Sequence, residues 1–262
     1  MRQPIVVVDA FTSRPFTGNP AAVCLLAREA DERWMQSVAA ELNLSETAFL
    51  LREADAFRLR WFTPATEVAL CGHATLASAH HLWESGALPP QTPARFHTRS
   101  GELTAIRQGE GIEMDFPAKP ETPAGATPEL ARAIGAAAAY VGVSQFDCLV
   151  ELASEAEVRA LAPDMSQLAA LPWRGVIVTS RASTPGYDFV SRFFAPKVGV
   201  REDPVTGSAH CVLGPFWRQR MGKDDFTAYQ ASPRGGVVRV GVRGDRVLLG
   251  GQAVTVWRGE LV

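Results

Sequence analysis

Apolar and polar positions alternate along much of the chain, and the alternation predicts strands. "IVVVDAF" (residues 5–11) reads as one, and "SRPFTGNPAAVCLL" (13–26) as a Gly/Pro turn leading into a second. "ETAFLL" (46–51) and "FRLRWFT" (57–63) read as a pair. "RFHTRSGELTAIRQGEGIEMDFP" (95–117) reads as a meander with a turn near Gly109 and Gly111. The period changes to that of a helix in "ADERWMQSVAAELN" (30–43), where Trp34, Met35, Val38, Ala39 and Leu42 share a face behind an acidic start. "PAKPETPAGATPEL" (117–130) has no period and is rich in proline, which predicts a domain linker.

Beyond it, "PELARAIG" (128–135) reads as helix and "FDCLVEL" (146–152) as strand. "SEAEVRALAPDMSQLAAL" (154–171) reads as helix broken at Pro163. "RGVIVTSRA" (174–182) and "YDFVSRFFAP" (187–196) read as strands. The end of the chain, residues 235–261, reads as short strands split by Gly-Asp and Gly-Gly turns. The sum is a mixed α+β chain, rich in antiparallel strands and without a βαβα rhythm.

Two stretches repeat one another. "LRWFTPATEVALCGHATLASAHHLW" and "VSRFFAPKVGVREDPVTGSAHCVLGPFW" each carry a strand ending in Phe-x-Pro, a loop with an acidic residue and a glycine (Gly72 or Gly207), and a segment ending at tryptophan (Trp83 or Trp217). "HATLASAHHLW" and "SAHCVLGPFW" contain no Lys, Arg, Asp or Glu, and a helix with no charged face is buried on all sides. Each half should therefore wrap a sheet around a central helix. Pro215 should kink or shorten the second one.

Composition narrows the class. The 262 residues are 47% hydrophobic and 21% charged with a formal net charge of -2, as in soluble globular proteins. No basic stripe points to nucleic acid. No run approaches the ~18 apolar residues of a membrane span, and the N-terminus lacks a signal-peptide pattern. The scattered Cys24, Cys71, Cys148 and Cys211 form no CxxC pair, as expected of reduced thiols in the cytoplasm.

Candidate chemistry gathers at "CGHATLASAHH" (71–81) and "VREDPVTGSAH" (200–210). A metal site using Cys71, His73 and His80 would need convergent ligands. His73 and His80 share a helix face but lie ~10 Å apart along it, too far for one ion. An anion cradle is the better reading: the first turn of a helix offers unpaired N–H groups, and Gly72 and Gly207 admit a ligand closely. The plain alternative is that both glycines serve tight turns. Thr206 and Ser208 add hydroxyls. Asp203 is either chemistry or a helix cap. Glu46 heads into an apolar strand, which is costly for a carboxylate without a partner, unless the position is an exposed edge.

"VDAFTSRPFTGNPAAVCLL", "LNLSETAFL", "WFTPATEVALCGHATLASA" and "REDPVTGSAH" together resemble the signatures of the PhzF-like family, in that family's order and spacing. The resemblance implies a diaminopimelate epimerase-like fold of two pseudo-symmetric domains, residues 1–118 and 119–251, with a final strand near 252–262 returning to the first. It implies an active site between the domains, a homodimer, no cofactor and no metal. It places the catalytic roles on Glu46, His73, Asp203 and Ser208, with Gly72, His73, Thr206, Gly207 and Ser208 holding the carboxylate of a small substrate. The expected reaction moves a proton between carbons.

Related racemases use a thiol before each of the two helices. Cys71 takes the first place, and the second falls on Pro204 or Val205, so a two-thiol mechanism is broken. Cys71 with Glu46 or Asp203 as an unequal pair is the alternative, and metal-dependent hydrolysis or a binding protein without chemistry the further ones. The phenazine enzymes themselves carry Gly-His-Pro where this chain has "GHAT", so the resemblance implies the machinery and not that substrate.

Overall fold

The computed structural model describes residues 2–262. Its first elements are β1 (Gln3–Ala10), β2 (Asn19–Leu26), α1 (Glu32–Leu42), β3 (Glu46–Glu53), β4 (Ala56–Phe62), β5 (Glu67–Val68), α2 (Gly72–Glu84), β6 (Ala94–Thr98), β7 (Gly101–Gln108) and β8 (Gly111–Pro117). There follow β9 (Thr122–Ala124), α3 (Pro128–Ile134), β10 (Tyr140–Val143), β11 (Asp147–Glu151), α4 (Glu155–Ala160), α5 (Met165–Ala170), β12 (Gly175–Arg181) and β13 (Phe189–Ala195). The last are β14 (Val200–Asp203), α6 (Gly207–Met221), β15 (Asp225–Gln230), β16 (Gly236–Arg243), β17 (Arg246–Gly251) and β18 (Ala253–Leu261). Contacts divide the chain into two units, Met1–Asp115 with Gly250–Val262, and Phe116–Leu249.

The ladders of the two units follow one pattern. In the first, the order β18-β1-β2-β3-β4-β6-β7 is joined antiparallel, antiparallel, parallel, antiparallel, parallel, antiparallel. In the second, β9-β10-β11-β12-β13-β15-β16 repeats that series step for step. The short β5 pairs with β4, and β14 with β13. Among the described residues, each of these four parallel pairs is bridged by helix: α1, α2, α4 with α5, and α6. A parallel neighbour cannot be reached by a tight turn, so each such pair demands a crossover. The α+β reading holds, with these four parallel joints added to its antiparallel strands.

The charge-free helices are buried. Helix α2 touches β1, β2, β3, β7 and β18, and residues His73 to Ala79 are all buried. Around α6, Trp217 stacks on Phe189 of β13 and donates to Thr179 Oγ1 of β12 over 3.1 Å. A methyl group at Gly214 would meet Val240 and Val242 of β16 at 3.0–3.1 Å, so strand packs directly on helix backbone there. Helix α1 covers the other side of its sheet, burying Met35, Val38 and Ala39 against Ile5, Cys24 and Phe49. Trp34 stays 37% exposed, with its ring edge-on to Phe49.

The structure adds to two expectations. Pro215 does not shorten α6, which runs 15 residues. The proline lacks the N–H that would reach Cys211 O, and the backbone N–H of Lys119 donates to that carbonyl instead, over 3.0 Å. The proline-rich stretch is more than a linker, since it contains β9, paired with β10, and Ala118 N–H donates to Asp245 O over 2.8 Å. The break at Pro163 does separate α4 from α5, each capped by its own side chain, Ser154 and Asp164. None of the four cysteines forms a disulfide. Among the described residues, no helix is long and apolar enough to cross a membrane.

Candidate functional site

Among the described residues, four of the six α-helices begin with a capping side chain: Asp31, Thr127, Ser154 and Asp164 each accept backbone N–H groups of the first turn. The other two do not. The residues preceding α2 and α6, Cys71 and Thr206, make no such bond. These are the two helices that start at Gly72-His73 and Gly207-Ser208. The residue at the N-cap position of α6 is Thr206, not Asp203.

In the first unit the site is built from β2, β3 and the start of α2. Glu46 opens β3, where its ladder partner is Ala21 of β2. Its side chain is 17% exposed, so it is not at an exposed edge. His73, the second residue of α2, places Nε2 3.3 Å from Glu46 Oε2, close but outside hydrogen-bond geometry. Asn19, fully buried at the start of β2, donates its amide to His73 Nδ1 over 3.2 Å. Burial pushes the His73 pKa down to about 3, opposed by a backbone hydrogen bond with Pro20. The ring is thus neutral at neutral pH.

Cys71 Sγ lies 3.5 Å from His73 Nδ1. Ligand atoms of Glu46, Cys71 and His73 all fall within 4.8 Å of one another, a spacing that a metal ion could bridge. The three ligands that the sequence offered for that role do not converge. His80 Nε2 is engaged with Thr255 Oγ1 at 3.2 Å and lies 3.8 Å from Glu84. Burial lowers the pKa of both His80 and His81, as for histidines packed into structure.

In the second unit the site is built from β12, β14, β15 and the start of α6. Thr206 Oγ1 donates to Asp203 Oδ2 over 2.6 Å. The fully buried Gln230 ties both down: its Oε1 accepts the Thr206 N–H at 2.8 Å, and its Nε2 donates to Asp203 O at 2.7 Å. Ser208 Oγ accepts from Arg174 Nη2 over 3.1 Å. The loops before the two helices are equal in length, residues 69–71 and 204–206, so the counterpart of Cys71 is Thr206 and not Pro204 or Val205. The position carries a hydroxyl instead of a thiol, and the two-thiol pair stays broken.

Asn19, Gln230 and Arg174 were not singled out in the sequence. Asn19 lies inside the "GNP" turn, read there only as a turn. Gln230 has no local signal, since the carbonyl and amide it engages come from a loop more than twenty residues away. Arg174 would have emerged had the repeat been extended back to "LNLSETAF" and "LPWRGVIV".

A model of the family described as phenazine biosynthesis-like protein (PhzC-PhzF) matches residues 8–259. An uncharacterized isomerase of Halalkalibacterium halodurans is 54% identical over 100% of this chain and 99% of its own. The crystal structure of a phenazine biosynthesis PhzF family protein from Enterococcus faecalis aligns with a TM-score of 0.96 at 41% identity, covering 100% of both chains. A hydroxyproline epimerase from Agrobacterium vitis, 11% identical, shares the fold with a TM-score of 0.64 over 99% of this chain and 92% of its own.

Proposed function

The chain belongs to the phenazine biosynthesis-like (PhzC-PhzF) family and is an isomerase, and we propose that it is a cofactor-independent one that moves a proton between two carbons of a small unsaturated or amino-bearing carboxylate. Glu46 takes a proton from a C–H activated by the carboxylate. The bonding pair enters the conjugated system. Glu46, whose proton exchanges with solvent, then delivers one proton to a different carbon, so one proton leaves and one is added and the charge balances. His73, neutral and aligned by Asn19, orients the substrate beside Glu46. Asp203, Thr206, Ser208 and the first-turn N–H groups of the two helices hold the carboxylate and the charge that develops on it. The proposal requires both groups of residues to serve one substrate.

The observation that supports this most is the 3.3 Å approach of Glu46 to a buried neutral histidine, at a helix start with no side-chain cap. Removing a weakly acidic C–H proton needs a desolvated base with donors for the resulting anion. The hydrolase alternative loses His80 to Thr255. An unequal base pair of Cys71 with Glu46 is the second reading, favoured by the short Cys71–His73–Glu46 spacing. A homodimer in the cytoplasm completes the proposal.

The test is proton exchange in D2O with a panel of small unsaturated and amino carboxylates, followed by NMR. Wild-type protein should place deuterium at carbon in at least one of them. Glu46→Gln should slow this by about 10²–10⁴-fold, the usual contribution of a general base. Undiminished exchange in the variant would refute the role of Glu46.

A further inference from the structure

Arg174 is a charged group held beside the α6 half of the site by several independent contacts. Its guanidinium is fixed by Asp147, with Nε donating to Oδ1 at 2.9 Å and Nη2 to Oδ2 at 2.5 Å. Asp147 is 2% exposed. The rings of Phe146 and Phe193 each lie 5.6 Å from the guanidinium carbon, and the Arg174 backbone N–H donates to Phe146 O over 2.9 Å. Next in the chain, Gly175 has no room for a side chain, because a Cβ would come within 2.5 Å of the Phe193 ring. The arginine is thus gripped from both sides, yet 37% of its side chain remains open.

Hydrogen-bond chemistry fixes what this does to Ser208. A guanidinium only donates, so Ser208 Oγ must be the acceptor at 3.1 Å, and its own O–H is directed elsewhere. Nη1 makes no hydrogen bond among the described residues. Asp147 offsets the net charge, so what remains is a directional edge of donors, a geometry matched to carboxylate.

The repeat gives this placement its meaning. Thr47 pairs with Phe62 in one unit, and Val176 with Phe194 in the other. Both phenylalanines belong to the Phe-x-Pro marks, so Gly175 is the counterpart of Glu46 and Arg174 stands one residue before it. His73 and Ser208 are each the second residue of their helix. One unit therefore sets a carboxylate against a histidine, and the other sets a guanidinium, one position earlier in the repeat, against a serine.

We propose that Arg174 is the specificity-determining anion anchor of the enzyme: Nη1, together with the Ser208 O–H, binds the substrate carboxylate while Asp147 holds the guanidinium in place. The unit containing Glu46 and His73 then does the proton transfer, and the unit containing Arg174 selects the charged group. The inference rests on the isomerase reading for what the carboxylate is attached to.

The test uses crotonate, with its neutral isostere crotonamide as control, titrated into the whole protein by calorimetry or ligand-observed NMR. Wild-type protein should prefer crotonate by at least about tenfold. Arg174→Lys keeps a charge for Asp147 but cannot also reach Ser208. The double variant Arg174→Gln/Asp147→Asn removes both charges and avoids a buried unpaired carboxylate. Both, with circular dichroism unchanged, should bind the two ligands within about threefold of each other. A preference retained in both variants overturns the proposal, as does wild-type protein that fails to discriminate or binds neither ligand at tens of millimolar. Glu46→Gln should keep the full preference. A failure of the proton-transfer reading would show in the deuterium experiment and leave this preference untouched.

Discussion

Lowering the pH should destabilise the protein well above the range where carboxylates titrate. His73 and His210 are both buried and neutral, one in each unit. Burial brings His73 down to about 3 and His210 to about 4, against a usual value of 6.5. Because the folded pKa lies below the unfolded one, the unfolded chain takes up each proton first as pH falls. The stabilisation is complete above about pH 6.5 and is lost as pH falls toward 4 and then 3. At about 1.4 kcal/mol per pKa unit, each histidine costs the fold about 2 kcal/mol between pH 7 and pH 5, and the pair about 4 kcal/mol. His80 and His81 are shifted in the same direction and add to this. Urea unfolding at pH 7, 6 and 5, followed by tryptophan fluorescence and circular dichroism, measures it. If the units unfold separately, each transition should carry about half of the loss. His210→Gln cannot titrate and should remove about half of the total. A midpoint that stays flat between pH 7 and 5 would refute the reasoning, because it would mean that neither imidazole is kept neutral by its surroundings.

Two substitutions test the site in other ways. Cys71→Ala should leave turnover within about tenfold if the thiol only packs beside His73, and a larger loss in the kinetic assay would revive the unequal-pair mechanism. Gln230→Leu leaves the Thr206 N–H and Asp203 carbonyl without their buried partner and should cost about 1–3 kcal/mol in urea unfolding.

Much of this protein was legible in the order of its residues. The period of the apolar positions is a local property, and it located α1, the paired β3 and β4, and the split between α4 and α5. The absence of charge in "HATLASAHHLW" and "SAHCVLGPFW" was enough to bury α2 and α6, since an uncharged helix has no face to give to water. The repeat marks around Phe62 and Phe194 pointed to two similar halves, and the motifs named Glu46, His73, Asp203 and Ser208.

What the sequence could not decide depends on which distant segments meet. The parallel joints were invisible because a strand's own pattern does not state its partner's direction; the crossover helices do. The fate of Pro215 turned on Lys119, nearly a hundred residues earlier, arriving to take the freed carbonyl. Helix spacing set His80 too far from His73 to share an ion, but only the fold showed its partner, Thr255, far along the chain. The partners of the site residues, Asn19 on His73, Gln230 on Asp203 and Thr206, and Arg174 on Ser208, come from other strands of the same units. Residue types, local spacing and the family resemblance named the candidate groups. Only tertiary packing decided which nitrogen faces which oxygen, because hydrogen bonding acts over about 3 Å and no local pattern specifies contacts between segments so far apart in the chain.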